Sequence, residues 1–252
     1  MARSCGLLAG PRDMTTAEVT TGEANIMHDG DDMTVARILF YLFAGNGLSG
    51  PGRGLDGTMR ICVEGNIGSG KSTALRAVAA ALPELTVIPE PVDEWGALLD
   101  QFYAEPSRWA HAFNLKVLAH FARVTAADAV IERSPSAGKH VFSQLGYNDG
   151  TVSQAAWDTY KKYHDLLGWE PDAYVFIDTP VATCMARVAE RGRVCEGALT
   201  ADYLDRVAFQ YENMLRFTEK TVVRVDGAAP AREVEAQVVG LVGRLLGRQR
   251  TM

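Results

Sequence analysis

The sequence is short of cysteine, short of long apolar runs and without a basic stripe, and each shortage argues against a class of protein. Its four cysteines, Cys5, Cys62, Cys184 and Cys195, form no CxxC pair and no metal-type spacing. That argues against a disulfide scaffold or a zinc module and fits a reduced, intracellular, cytoplasmic protein. The best apolar run, "VARILFYLFAG" at 35 to 45, is too short to cross a bilayer, so no membrane partner is expected. The formal net charge is -6 and basic residues do not cluster, so no nucleic-acid partner is expected either. The opening "MARSCGLLAGPR" loosely resembles a targeting leader. However, Asp13, Glu18, Glu23, Asp29, Asp31 and Asp32 follow it, and acids argue against a mitochondrial transit peptide.

What is present divides the chain in two. Residues 1–57 have little periodicity, many glycines and an acidic patch, and they end in "GNGLSGPGRGLDG". They are expected to be a largely disordered extension with one short helix at 34–44. Residues 58–252 are expected to form one folded domain. The 252-residue chain is 47% hydrophobic, enough for one full-sized core. Apolar, β-branched runs predict five strands: "MRICVEG", "LTVIPE", "DAVIERS", "AYVFIDT" and "TVVRVDG". Helical spacing predicts helices in "KSTALRAVAAAL", at about 96–104, 107–126, 151–167, 181–191 and 200–218, and in "AREVEAQVVGLVGRLLG". Alternation of this kind predicts an α/β fold, a five-stranded parallel sheet with helices on both faces. Ligands of such sheets sit at the carboxyl ends of the strands.

"GNIGSGKS", Gly65 to Ser72, matches G-x-x-x-x-G-K-S between a predicted strand and a predicted helix. Gly65, Gly68 and Gly70 let the loop turn its N–H groups inward. Asn66, Ile67, Ser69 and Thr73 complete the candidate ATP-binding set. The helix N-terminus adds partial positive charge. Lys71 can reach the β- and γ-phosphates, and the Ser72 hydroxyl can hold Mg²⁺. A glycine-rich turn with a chance lysine is the bland alternative, and the strand–loop–helix context disfavours it.

"PEPVDEWG", residues 89 to 96, crowds three carboxylates and a tryptophan directly after a predicted strand. Alone it reads as a solvated turn. Beside the phosphate loop, its strand-end position faces the same crevice. Asp93 and Glu94 are expected to be solvent-facing acids at a helix start, where they suit the helix dipole.

Taken together, "EGNIGSGKST", "PEPVDEW", "YAEPSRWAHAF", "VIERSPSAGKHVF" and "RGRVCEGALTADYL" resemble the deoxyribonucleoside kinase family, from about residue 60 to 225. That family includes thymidine kinase of the mitochondrial type, deoxycytidine kinase and deoxyguanosine kinase. The resemblance implies a P-loop kinase fold with an arginine-bearing lid. It implies that Glu90 accepts the proton of the 5′-hydroxyl and that Arg133 holds Glu90 and the acceptor's 5′ end. Glu132 would help bind Mg²⁺. Arg191 and Arg193 would be lid arginines closing on the phosphates, with Arg187 assisting or merely exposed. Glu196 and Tyr103 would bind the sugar 3′-hydroxyl.

Trp95 and Phe142 match ring positions that flank the base. The family has glutamine after W-x-x-x-F, whereas this chain has Asn114, one methylene shorter. Val117 and Phe121 follow on the same helical face. Phe121 stands where deoxycytidine and deoxyguanosine kinases carry an arginine, and Gly138, beside Ala137, where they carry an aspartate. An apolar, roomy end of this kind suits a 5-methylpyrimidine. The expected activity is therefore Mg²⁺- and ATP-dependent 5′-phosphorylation of a deoxynucleoside, thymidine first and deoxycytidine or broad pyrimidine use next. The expected assembly is a homodimer packing the helices at 107–126 and 151–167. The rivals are a purine deoxynucleoside kinase, a nucleoside-monophosphate kinase, and a non-catalytic nucleotide-binding module.

Overall fold

The computed structural model describes residues 59–126 and 128–247. The expected extension over 1–57, its helix at 34–44 and the start of the domain at Thr58 lie outside the described residues. The five predicted strands are Arg60–Glu64 (β1), Thr86–Ile88 (β2), Ala129–Glu132 (β3), Ala173–Asp178 (β4) and Thr221–Asp226 (β5). They form one sheet in the order β2-β3-β1-β4-β5, with every pairing parallel. The predicted α/β architecture is the one observed.

β2 is shorter than "LTVIPE" because Pro89 and Pro91 remove the backbone donors that a longer ladder needs. β1, β3 and β4 lie inside the sheet, and Ile61, Val130 and Val175 are fully buried. That explains their unbroken apolar runs. The register pairs Val63 with Glu132, so the loops after β1 and β3 leave the sheet side by side.

Among the described residues, eight helical segments flank the sheet: Lys71–Ala81 (α1), Val92–Ala104 (α2), Pro106–Ala122 (α3), 135–148 (α4), Gln154–Leu167 (α5), Val181–Arg191 (α6), Ala201–Phe217 (α7) and Ala231–Leu245 (α8). α1 and α8 cover one face through Leu75, Val78, Val238 and Val242. α4 and α7 cover the other through Val141, Val207 and Tyr211, together with Phe121 from the end of α3. α3 and α5 also build a side cluster around Leu118, Trp157 and Tyr160.

Four helices differ from expectation. α5 starts at Gln154, under a Ser153 side-chain cap, and not at 151. α2 starts four residues before the predicted 96. Its first turn carries Asp93 and Glu94, both exposed, before the chain kinks at Gly96, where φ is +29°. α3 stops at Ala122, short of the predicted 126. α4 was not predicted. It opens under a Ser134 side-chain cap, passes through a π-helical stretch at Gly138–Ser143, and closes as an α-helix.

Candidate active site

The carboxyl ends of β1, β2 and β3 open into one cavity of about 980 Å³. The phosphate loop forms its floor. Gly68 has φ +81°, and a β-carbon there would meet the Cys184 carbonyl at 2.6 Å, so both backbone shape and space require glycine. Lys71 is buried and donates to the carbonyls of Gly65 and Asn66 at 3.1 and 2.7 Å. Burial pulls its pKa down to about 8, helped by Arg133 and opposed by Glu132, Glu90 and Glu64.

Ile67, Gly68, Gly70, Lys71, Ser72 and Thr73 face the cavity. Gly65, Asn66 and Ser69 do not: they form the loop's underside. The Asn66 amide donates to the Leu204 carbonyl of α7 at 2.8 Å. The Ser69 carbonyl accepts from Thr179 and from Arg187, both at 3.2 Å. The other arm of Arg187 donates to the Gly227 carbonyl at 3.1 Å. Arg187 is thus neither a free helix residue nor simply a phosphate clamp. It braces the loop against the turn after β5, with an edge in the cavity.

Glu90 and Arg133 form an ion pair of 3.1 Å at the mouth of the loop, with both side chains largely buried. Arg133 is the sole non-glycine residue with positive φ (+65°) among the described residues. Sequence reasoning missed what lies under it. The Arg133 guanidinium donates to the Tyr211 hydroxyl at 2.5 Å, and Tyr211 donates to Glu64 at 2.9 Å. Ser134 also donates to Glu64, at 2.6 Å. Glu64 is fully buried, and desolvation pushes its pKa up to about 7 against the pull of Arg133, Ser134 and Tyr211. One signal was available: a charge closing the buried run "ICVE". Nothing local pointed to Tyr211.

Ser72 donates its hydroxyl to Glu132 at 2.8 Å. Two hard oxygen donors therefore sit together at the start of α1, as Mg²⁺ requires; that ion keeps several waters and takes phosphate oxygens besides. The residues fit the ion.

The lid follows α6. Arg191 pairs with Glu196 at 2.6 Å and Arg193 with the same carboxylate at 3.4 Å. Glu196 is buried, and its oxygens are engaged by the two arginines. Tyr103 lines the cavity from α2, and the lid turn Val194–Ala198 packs against that helix.

The cavity lining also includes a group of aromatic and apolar side chains. Trp95 stands edge-on to Phe113 at 5.6 Å. Phe142, in the π-helical stretch, lies under the Arg133 guanidinium at 4.7 Å. Asn114, Val117 and Phe121 line the cavity from α3, and Gly138 lines it from the start of the π-helical stretch. A β-carbon on Gly138 would lie 3.1 Å from the Tyr160 hydroxyl, so the end expected to be apolar and roomy is tight at Gly138 and carries a hydroxyl there.

Comparison with known proteins shows the family. The deoxynucleoside kinase family matches residues 61–245. The chain belongs to the deoxynucleoside kinase family. It is 29% identical to deoxycytidine kinase 2 of Gallus gallus over 220 residues, covering 70% of this chain and 82% of that one. It is also 29% identical to the thymidine kinase of Ictalurid herpesvirus 1 over 213 residues, covering 79% and 92%. A solved structure of deoxyadenosine kinase from M. mycoides, with dCMP and dCDP bound, superposes with a TM-score of 0.67. It shares 19% identity and covers 74% of this chain and all of that one. That last likeness supports the fold alone. Membership of the family makes this chain a deoxynucleoside kinase that phosphorylates a nucleoside with ATP. The relatives carry the names of three different deoxynucleosides, so membership does not choose the base.

Proposed function

We propose that this kinase transfers the γ-phosphoryl group of ATP to the 5′-hydroxyl of thymidine, and that the residues just described carry the step. The observation that carries the proposal is the cavity itself. It is lined by a phosphate loop and a Glu90–Arg133 pair, and also by an apolar group that includes Val117, Phe121 and Gly138.

The triphosphate would lie over the N-terminus of α1, where loop N–H groups and Lys71 oppose its charge. Ser72 and Glu132 would hold Mg²⁺, which when bound neutralises charge on the phosphates. Glu90 accepts the proton of the attacking 5′-hydroxyl, and Arg133 fixes the carboxylate that does so. Arg191 and Arg193 close over the transferring group and stabilise its charge. Glu196 masks both arginines before substrates arrive, and with Tyr103 it recognises the 3′-hydroxyl.

Trp95 and Phe142 offer flat faces to a flat base. Asn114 presents one donor and one acceptor to the base edge. Beyond it, Phe121 and Gly138 leave no charged partner for an exocyclic amine but do leave apolar contact for a methyl group. We also propose a homodimer built on α3 and α5, where Leu166 is 56% exposed. The test is steady-state phosphorylation of the four deoxynucleosides. Thymidine should give the highest kcat/KM. A preference for deoxyguanosine or deoxyadenosine would overturn the choice of base and leave the kinase assignment standing.

A further inference from the structure

We propose that Glu64 and Tyr211 are positioning residues that aim Arg133, and through it Glu90, at the reacting hydroxyl. The inference rests on the roles proposed for Glu90 and Arg133, and it holds for whichever nucleoside is the acceptor.

Arg133 needs holding. Its left-handed backbone is uncommon for a bulky residue and persists only when the surroundings impose it. Its Nε faces Glu90 at 3.1 Å. Its Nη1 donates to the Gly65 carbonyl at 3.2 Å and to the Tyr211 hydroxyl at 2.5 Å. Without Tyr211, that arm of the fork keeps a single, longer bond.

A phenol has one proton. Tyr211 accepts from Arg133, so its own proton must go elsewhere, and Glu64 Oε2 takes it at 2.9 Å. Glu64 Oε1 takes the proton of Ser134 at 2.6 Å, while the Ser134 oxygen accepts from the Ala137 N–H. Every donor therefore has one direction, running from Arg133 to Tyr211 to Glu64. The carboxylate is the terminal acceptor: it accepts through two separate oxygens, whereas an amide would put a donating NH2 group at one of those two positions.

A purely structural need does not account for this acid. Ile61, Cys62 and Val63 precede it in β1, and all are fully buried, as Glu64 is. An apolar residue would finish such a strand without the cost of burying a carboxylate. Tyr211 comes from α7, the helix that follows the lid and also receives the Asn66 amide of the phosphate loop. The loop and Arg133 are thus fixed to the same helix.

The test uses the full chain and its best deoxynucleoside substrate. Tyr211→Phe keeps the ring and removes the hydroxyl. The expected result is a fall in kcat of about 10- to 100-fold, the effect of a small misalignment at the reacting centre. KM for ATP should change by no more than about twofold. In an Arg133→Lys background the same change should cost no further kcat, because a residue acting through Arg133 has nothing left to aim. Glu64→Gln should repeat the pattern and provides a second variant if Tyr211→Phe folds poorly. Unchanged kcat in both single variants, with Arg133→Lys slow, overturns this inference alone. Equal losses with and without Arg133 also overturn it, since that is how a merely structural residue behaves. Full turnover by Arg133→Lys overturns both this inference and the role given to Arg133.

Discussion

Burying Glu64 should be visible as a pH dependence of stability. Its pKa is about 7 in the fold against an ordinary 4.5, and desolvation is the main cause. A carboxyl whose folded pKa is raised holds its proton more tightly in the native state than in the unfolded chain. Between those two values the native state binds more protons, so stability falls as pH rises through the window. Each unit is worth roughly 1.4 kcal/mol. Part of the shift lies below pH 5, so from pH 5 to 8 this one group should remove about 2–3 kcal/mol. For a domain of this size that corresponds to about 5–10 °C in Tm.

Other groups titrate too, so the readout is a difference. Glu64→Gln keeps the shape and does not titrate. Thermal unfolding of wild type and variant at pH 5 and pH 8 should show the variant gaining on wild type by about 5–10 °C at the higher pH. Lys71, lowered to about 8 from 10.5, has its window mainly above this range. A gap between the two proteins that does not change with pH would refute the reasoning. It would mean that Arg133 and the two hydroxyls fully offset desolvation.

Two more outcomes are expected. Asn114→Ala should lower kcat/KM for the preferred deoxynucleoside by the equivalent of about 1–3 kcal/mol, as for a base edge left unpaired; unchanged constants for all four deoxynucleosides would remove Asn114 as the base reader. We also propose that residues 1–57 are dispensable, so deleting them should leave kcat and Tm nearly unchanged; an insoluble or inactive truncation would make them part of the fold.

Much of the sheet was legible in the sequence. Parallel strands buried on both faces must be continuous apolar runs, and here each one is followed by a helical period. The phosphate loop was legible because its spacing carries its own geometry. α4 was not, since Pro135 and Gly138 interrupt the apolar spacing and its middle is π-helical, so a 3.6-residue period does not describe it. The start of α2 was obscured by the kink at Gly96. Within the site, most of the residues named from motifs do face the cavity. Their support could not. Glu64 and Tyr211 are 147 residues apart, and no local pattern joins them. The inward turn of Asn66 toward Leu204 and the brace from Arg187 to Gly227 are long-range in the same way.

The central claim is that Glu90, held by Arg133, takes the proton of the acceptor hydroxyl. Transfer of labelled γ-phosphate from ATP to the preferred deoxynucleoside, measured for wild type and Glu90→Gln, tests it most directly. The variant keeps shape and hydrogen bonding but loses proton affinity. The account predicts a loss of kcat of about 10² or more with nucleoside binding largely retained. Turnover near the wild-type rate in Glu90→Gln would contradict it.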